Sequence, residues 1–456
     1  MMYKRITALF TVLLMMILIC DVPVRAVTFS PDFTITSEAA VMMDLDRNTV
    51  VYAKNADKKM YPASLTKIVT AMVVLDNVDD IENTRFEAPL SVFDELYGMG
   101  ASTVGLMKDE ITTVKDLLYS LMLKSACESA GILAYNVGQH STANFVEMMN
   151  EKAKAIGCTG THFVNPHGLY DKDQFTNAND MARIVRYAVD NYPLLVEIAC
   201  TVDYEMQPTN MHSEGWAHIY HTNAMINPES FEYYPYVKGF KTGTTDESGR
   251  CLATLGSKDG CNYLLVTLGS PLKNEDGETV YNHYEDHRML YDWAFDHLEY
   301  KQIIPADKEV KELQVNFGES SDFVRLVTAS DYSTVWLDTI DDSKLSDVIT
   351  VDESLLNEDG TIDAPVEQGT VLGTYAVTFH DEEVGRVDLV AQTDVTLSVA
   401  KYNMDKAKHF VTSGWFLAAA GIAVVLIFLY IILVASSNRK KKKKRRRKKV
   451  KAGRNF

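Results

Sequence analysis

Pro62-Ala63-Ser64-Leu65-Thr66-Lys67-Ile68-Val69-Thr70-Ala71-Met72-Val73-Val74-Leu75-Asp76 is the stretch whose reading decides the fold. Leu65, Ile68, Val69, Met72, Val73 and Leu75 put apolar side chains on almost every face of a helix, so this helix belongs in the middle of a domain. A hydroxyl at Ser64 and an amine at Lys67, three positions apart, then share one face. An ammonium held in such surroundings is partly desolvated, which favours the free amine. A free amine at Lys67 is able to take the serine proton, the activation a Ser-Lys nucleophile pair requires. At average residue usage roughly two Ser-x-x-Lys matches arise by chance in a chain of this length. A capped helix start, with Ser64 as N-cap, is the competing reading.

Upstream of this helix, residues 39–53 read as two strands around the turn Asp46-Arg47-Asn48. Downstream, helical patterns recur at about residues 113–124, 126–137, 143–156, 177–191 and 283–298. Residues 251–256 and 261–268 form a second hairpin around Ser257-Lys258-Asp259-Gly260. Strands at both ends with helices between predict one α/β sheet domain over residues 35–300. Beyond Pro305 the pattern changes to short β-rich runs such as 324–328, 334–337, 371–378 and 387–391, a small all-β domain over 305–398. Residues 399–412 read as a linker.

The two ends predict export and anchoring. Residues 1–26 carry Lys4 and Arg5, an apolar run and Val24-Arg25-Ala26, the plan of a cleaved signal peptide. Residues 415–435 hold no charge over 21 positions, enough for a helix to cross a hydrocarbon core of about 30 Å. From Arg439 onward there are 13 Lys or Arg and no acid, which assigns a basic cytoplasmic tail, residues 436–456, and puts the catalytic part outside a single-pass cell membrane. The formal charge of −17 conceals a net of −30 before Arg439, with 32 basic against 62 acidic side chains. That surface argues against nucleic acid as a partner, and a span beside the tail favours membrane contact. Five cysteines remain without Cys20, an odd number that lacks C-x-x-C spacing, so neither a disulfide framework nor a zinc site is expected. His218 and His221 have a metal-compatible spacing but no third ligand, and no metal or cofactor is expected.

A second chemical element is Val237-Lys238-Gly239-Phe240-Lys241-Thr242-Gly243-Thr244. On an edge strand beside Ser64, Lys241 and Thr242 would grip a carboxylate while Gly243 admits a substrate backbone. Ser-x-x-Lys, a serine at a helix junction and then Lys-Thr-Gly form a specific ordered combination. With Phe163-Val164-Asn165-Pro166-His167-Gly168-Leu169, Thr222-Asn223 and Ala364-Pro365-Val366, the chain resembles the serine D-alanyl-D-alanine carboxypeptidases, the low-molecular-weight penicillin-binding proteins. The resemblance implies a penicillin-binding/β-lactamase-like sheet with helices, followed by the all-β domain and one transmembrane helix. It also implies a substrate, the peptidoglycan stem peptide ending in D-Ala-D-Ala, and β-lactams as covalent inhibitors.

Carried over by position, the resemblance makes Ser64 the acylated nucleophile, Lys67 the base and Ser125 the relay toward the leaving amine. Lys241 and Thr242 bind the substrate carboxylate, and the amides of Ser64 and Thr244 form an oxyanion hole, elsewhere worth about 3–4 kcal/mol per donor. The middle motif departs from the family: Ser-x-Asn is replaced by Ser125-Ala126-Cys127. An amide donates and accepts, whereas a thiol does both weakly. Cys127 reads either as a thiolate partner of Lys67 or as a small buried residue. A β-lactamase would need a further glutamate to activate the deacylating water, and none is identifiable by motif. A transpeptidase using the same acyl-enzyme and a catalytically weak wall-binding scaffold are the other readings. His167 reads as structural.

Overall fold

The computed structural model describes residues 28–213 and 216–452, with two compact units. The expected signal segment, residues 1–26, lies outside the described residues. In the first unit the two expected hairpins join into one antiparallel sheet. Its strands are β1 (Ala39–Asp44), β2 (Thr49–Lys54), β3 (Val237–Thr245), β4 (Gly249–Lys258) and β5 (Cys261–Ser270), in the order β2-β1-β5-β4-β3. β1 pairs with β5 from Ala39↔Leu268 to Asp44↔Tyr263. The chain thus closes its beginning onto its middle and leaves β3 at an edge.

Both faces of the sheet are covered, and the period-two alternation of strands shows which residue meets which layer. Ala39, Val41, Met43, Leu264, Val266 and Leu268 belong to one core cluster. Ala40, Met42, Leu252, Tyr263 and Leu265 belong to another. The first cluster is completed by α1 (Thr66–Asn77), α2 (Cys127–Val137), α3 (Thr142–Ile156) and α4 (Ala178–Asn191), and the second by α5 (Asn282–His297). Every residue of α1 from Thr66 to Val74 is buried, as its all-round apolar pattern requires. α3, by contrast, buries only Phe145, Met149 and Ala153, one stripe at helical spacing. Its N-terminus is capped by the Ser141 side chain and that of α4 by Asn177.

The second unit comprises Ile304–Tyr332, Asp347–Ala376 and Arg386 onward. Its sheet contains Phe323–Thr328, Glu309–Asn316 and the hairpin Val371–Phe379/Glu382–Ala391, matching the β-rich reading. The boundary is more involved than the expected break near residue 300. Ser333–Ser346 and Val377–Gly385 belong to the first unit. Trp336, fully buried, explains the first of these returns: its ring meets Phe29 edge-on at 5.6 Å within the second core cluster. The segment read as a linker is helical, Val399–Thr412. A 39-residue helix follows, Gly414–Ala452, whose apolar part is long enough to cross a membrane by length and composition.

Trp336→Ala removes the largest fully buried side chain from that cluster. The expected outcome is a loss of about 3–5 kcal/mol of unfolding free energy, read as a lower denaturant midpoint by circular dichroism.

Candidate active site

Ser64 lies in a 3-10 turn, Ala63–Leu65, that runs directly into α1. It is not an N-cap: no side chain caps either the turn or α1. Ala63 holds a φ of 45°, a left-handed conformation that a residue with a Cβ adopts at a cost, and the surroundings enforce it. Gly168, in the Pro-His-Gly turn, presses on this backbone so closely that a Cβ there would stand 2.0 Å from the Ala63 carbonyl oxygen. β3 approaches from the other side. A Cβ on Gly243 would stand 3.0 Å from both the Ser64 nitrogen and the Ala63 Cβ, so glycine at 243 is what lets the edge strand reach the serine turn.

Lys67, fully buried on α1, points its amine into this junction. Its Nζ is 2.9 Å from Ser64 Oγ and 3.5 Å from Cys127 Sγ, and it donates to the His167 carbonyl. Burial pushes the Lys67 pKa down, and the neighbouring Cys127 and Glu128 oppose that shift. The direction of that shift is toward the free amine.

Ser125 and Cys127 lie at a helix junction, from which Cys127 reaches Lys67. The helix Val114–Tyr119 widens into a π turn, Ser120–Lys124, after which Ser125 takes a left-handed φ of 62° and α2 begins at Cys127. π turns and left-handed residues concentrate at functional sites because they re-aim side chains that a regular helix would not. The turn is fixed by Cys127 N–H donating to the Ser102 carbonyl at 2.8 Å and Ala126 N–H to the Ser120 carbonyl at 3.1 Å.

Lys241 on β3 is also fully buried, and its Nζ donates to the Thr242 carbonyl at 3.1 Å. Burial and the nearby Lys67 push its pKa well below the usual lysine value. Thr242 Oγ1 is 2.6 Å from Thr222 Oγ1, and Asn223 donates from its side-chain amide to the Gly239 carbonyl. The Thr222-Asn223 pair therefore braces β3, a role its sequence alone did not reveal. Thr244 follows Gly243 on the same strand, with its hydroxyl donating to the Gly243 carbonyl at 2.8 Å.

The histidines have structural settings. His167 Nδ1 accepts from the Leu169 N–H and Nε2 faces Glu95 at 3.2 Å. Burial, together with Lys67 nearby, lowers its pKa despite Glu95. His218 sits on the strand His218–Tyr220, not on a helix turn, and pairs with Asp203 at 2.6 Å. His221 is buried, with its pKa pushed down to about 3 by burial and by Lys241. Among the described residues no group of His, Cys, Asp or Glu side chains is placed to hold a metal ion.

Known proteins match this arrangement over most of the chain. The family model of D-alanyl-D-alanine carboxypeptidases matches residues 25–271, and that of the penicillin-binding protein 5 C-terminal domain matches residues 298–397. The D-alanyl-D-alanine carboxypeptidase DacF of Bacillus subtilis is 26% identical over 359 residues, 79% of this chain and 86% of its own. The crystal structure of the carboxypeptidase DacD of Francisella tularensis superposes with a TM-score of 0.61 at 22% identity, over 83% of this chain and 97% of that one. The Streptomyces K15 DD-transpeptidase, as an alanine variant, does so with a TM-score of 0.53 at 25% identity, over 59% and 100%.

Gly243→Ala drives a methyl into backbone atoms of Pro62 and Ser64. The serine turn or the edge strand has to give by a few tenths of an ångström, so acylation by a β-lactam is expected to slow by roughly tenfold, less than the cost of a full ångström's misplacement, while circular dichroism stays unchanged. Stopped-flow measurement of adduct formation checks it.

Proposed function

The chain belongs to the D-alanyl-D-alanine carboxypeptidase family, whose model covers more than half of it, and we propose that Ser64 is the nucleophile by which it trims peptidoglycan stem peptides. As a member it is a D-alanyl-D-alanine carboxypeptidase, a serine hydrolase. The observation that carries the assignment of residues is the 2.9 Å approach of the buried Lys67 amine to Ser64 Oγ.

In this reading the peptide lies along β3 with its terminal carboxylate between Lys241 and the Thr242 hydroxyl. The substrate carboxylate supplies a counter-charge that favours Lys241 as an ammonium and so opposes the downward pull of burial and Lys67 on its pKa. Gly243 admits the peptide backbone. The scissile carbonyl oxygen takes the amides of Ser64 and Thr244, donors that stabilise the tetrahedral oxyanion. Ser64 Oγ bonds to the carbonyl carbon as its proton passes to Lys67 Nζ. When the intermediate collapses, the carbon–nitrogen bond breaks and Ser125 relays a proton to the departing D-alanine amine. Water then attacks the ester, with Lys67 again as base, and frees Ser64.

Cys127 favours a second outcome for the same acyl-enzyme. Its thiol stands 3.5 Å from Lys67 where the family pattern has an asparagine amide, so substrate carbonyl and base are oriented by a weaker group. The Streptomyces K15 DD-transpeptidase, one of the matched folds, has been solved with a serine, and a cysteine two positions on, each replaced by alanine, the same spacing as Ser125 and Cys127. Transfer to an amine acceptor is therefore the reading to test beside hydrolysis. The apolar helix serves as the membrane anchor, with the catalytic part outside the cell and the tail of 13 Lys or Arg inside.

Labelled penicillin is expected to add one equivalent to Ser64, located by peptide mass spectrometry, and Ser64→Ala to take up none. D-alanine is released from a pentapeptide, and an added amino acceptor divides the products between acid and amide. Adduct formation without release in either assay would leave only the scaffold reading. Protease added to intact cells is expected to remove the residues before the span and to spare an epitope at the C-terminus; loss of that epitope would reverse the orientation.

A further inference from the structure

A buried carboxyl directly follows the middle motif and has no part in the steps above. Glu128 is the acidic residue in the first turn of α2 and is 1% exposed. Its Oε1 accepts from the N–H groups of Val104 at 2.7 Å and Gly105 at 3.1 Å. With the Cys127-to-Ser102 bond at 2.8 Å, these contacts strap residues 102–105 to the Ser125–Cys127 turn. Its Oε2 is buried with no hydrogen-bond partner. A carboxylate oxygen left bare in the interior is costly and is retained where its charge has work to do.

The charge acts on Lys67. The groups that touch the Lys67 amine are Ser64 on its own helix, Cys127 on α2 and the carbonyl of His167, whose ring turns instead to Glu95; Glu128, one residue beyond Cys127 on α2, and Lys241 on β3 act on it through charge. Of these, Lys241 repels an ammonium at Lys67. Cys127, in contact with the amine, favours it most, and Glu128 is the carboxylate among the described residues that adds to that pull. Burial raises the Glu128 pKa above the usual carboxylate value, and N–H groups of Val104, Glu128 itself, Gly105 and Leu106 oppose that rise in part. The N-terminus of α2 adds to that opposition.

We propose that Glu128 is a positioning residue for the reaction, supplying the counter-charge for Lys67 at the moment Lys67 becomes an ammonium while holding residues 102–105 against the Ser125–Cys127 turn. The inference rests on the Ser64–Lys67 reading. No direct bond between Glu128 and Lys67 is needed, because an opposite charge nearby in a desolvated site stabilises the ammonium through its field. The part resembles that of the carboxylate behind a catalytic histidine, which orients the base and stabilises its protonated form without itself taking the proton.

The test is the pH dependence of β-lactam acylation by the full-length protein in detergent, for wild type, Glu128→Gln and Glu128→Asp. Lys67 serves as base only as the free amine, so the rate rises as pH passes upward through its pKa. Glu128→Gln keeps a carbonyl oxygen for Val104 and Gly105 but removes the negative charge, which lowers that pKa. The ascending limb is therefore expected to move to lower pH by about one unit, and the plateau rate to fall on the order of tenfold because the ammonium has lost its counter-charge. Glu128→Asp keeps the charge, and its limb is expected close to that of wild type. A Gln variant with the wild-type limb and plateau overturns the proposal, as does an Asp variant whose limb moves with Gln. Where the Gln variant does not fold, the Asp variant decides: a limb displaced downward from wild type refutes the charge role and an unmoved one supports it. Wild-type protein that forms no adduct at Ser64 would instead overturn the Ser64 reading and this inference with it.

Discussion

A lysine amine buried beside a serine hydroxyl without a full ion pair is the constraint on which this structure depends. As the proposed base, Lys67 has to be dry enough to exist as the amine yet close enough to polar groups to become an ammonium during each turnover. The first demand explains why α1 is buried from Thr66 to Val74, since water on any face of that helix would rehydrate the amine. Burying a helix on every side in turn requires α2, α3 and α4 to surround it and the sheet to close the remaining side, and the first core cluster consists of these elements. The catalytic requirement and the packing requirement are met by the same apolar residues.

The second demand is met from three directions by backbone set in uncommon conformations. Ala63 and Ser125 are left-handed residues with side chains, and Gly168 and Gly243 are glycines whose missing Cβ atoms leave room for the serine turn. Such positions are stable only where the surrounding structure over-determines them. Here the bracing is visible: Thr222 to Thr242, Asn223 to Gly239, Cys127 to Ser102, Thr70 to Pro166. The reactive groups are carried on rigid elements, and β3, the edge strand that lies beside Ser64, is a strand to which an extended peptide is able to add.

Much of this was legible in the sequence, for reasons that also mark where reading stops. The buried helix, both hairpins and the 21-residue span follow from periodicity and length, which are local properties. Ser64, Lys67, Ser125, Cys127, Lys241, Thr242, Gly243 and Thr244 were singled out by ordered motifs, and the fold brings Lys67 to Ser64 and Cys127 and brings Gly243 to Ser64. The π turn was not foreseeable, because its residues read as a continuous helix and only tertiary packing favours the extra residue. Nor was the return of Ser333–Ser346 to the first unit, since a single Trp336 in a β-rich run gives no sign of which core will bury it. Glu128 belongs to no motif, and nothing in the sequence separates it from other acids near the start of a helix. Its bare buried oxygen is a property of the fold alone.

Cys127 is the point at which sequence and structure together say more than either does separately. Read alone, a thiol in place of an amide removes a strong donor and acceptor from the site. In the fold, the thiol sits 3.5 Å from Lys67, and the same amine also donates to the His167 carbonyl, so its lone contacts are divided among Ser64, a weak sulfur and a backbone oxygen. None of these carries a formal negative charge when the thiol is neutral. On the proposed role of Glu128, the stabilisation of a protonated Lys67 shifts from a directional side-chain amide to the less directional field of the residue that follows the thiol. In the proposed mechanism, orientation of the substrate carbonyl, for which a field is no substitute, then falls to the edge strand and the two backbone amides. A site organised in this way holds its acyl-enzyme by main-chain geometry, and which acceptor completes the reaction is decided by how water and amines reach the ester, not by the nucleophile itself.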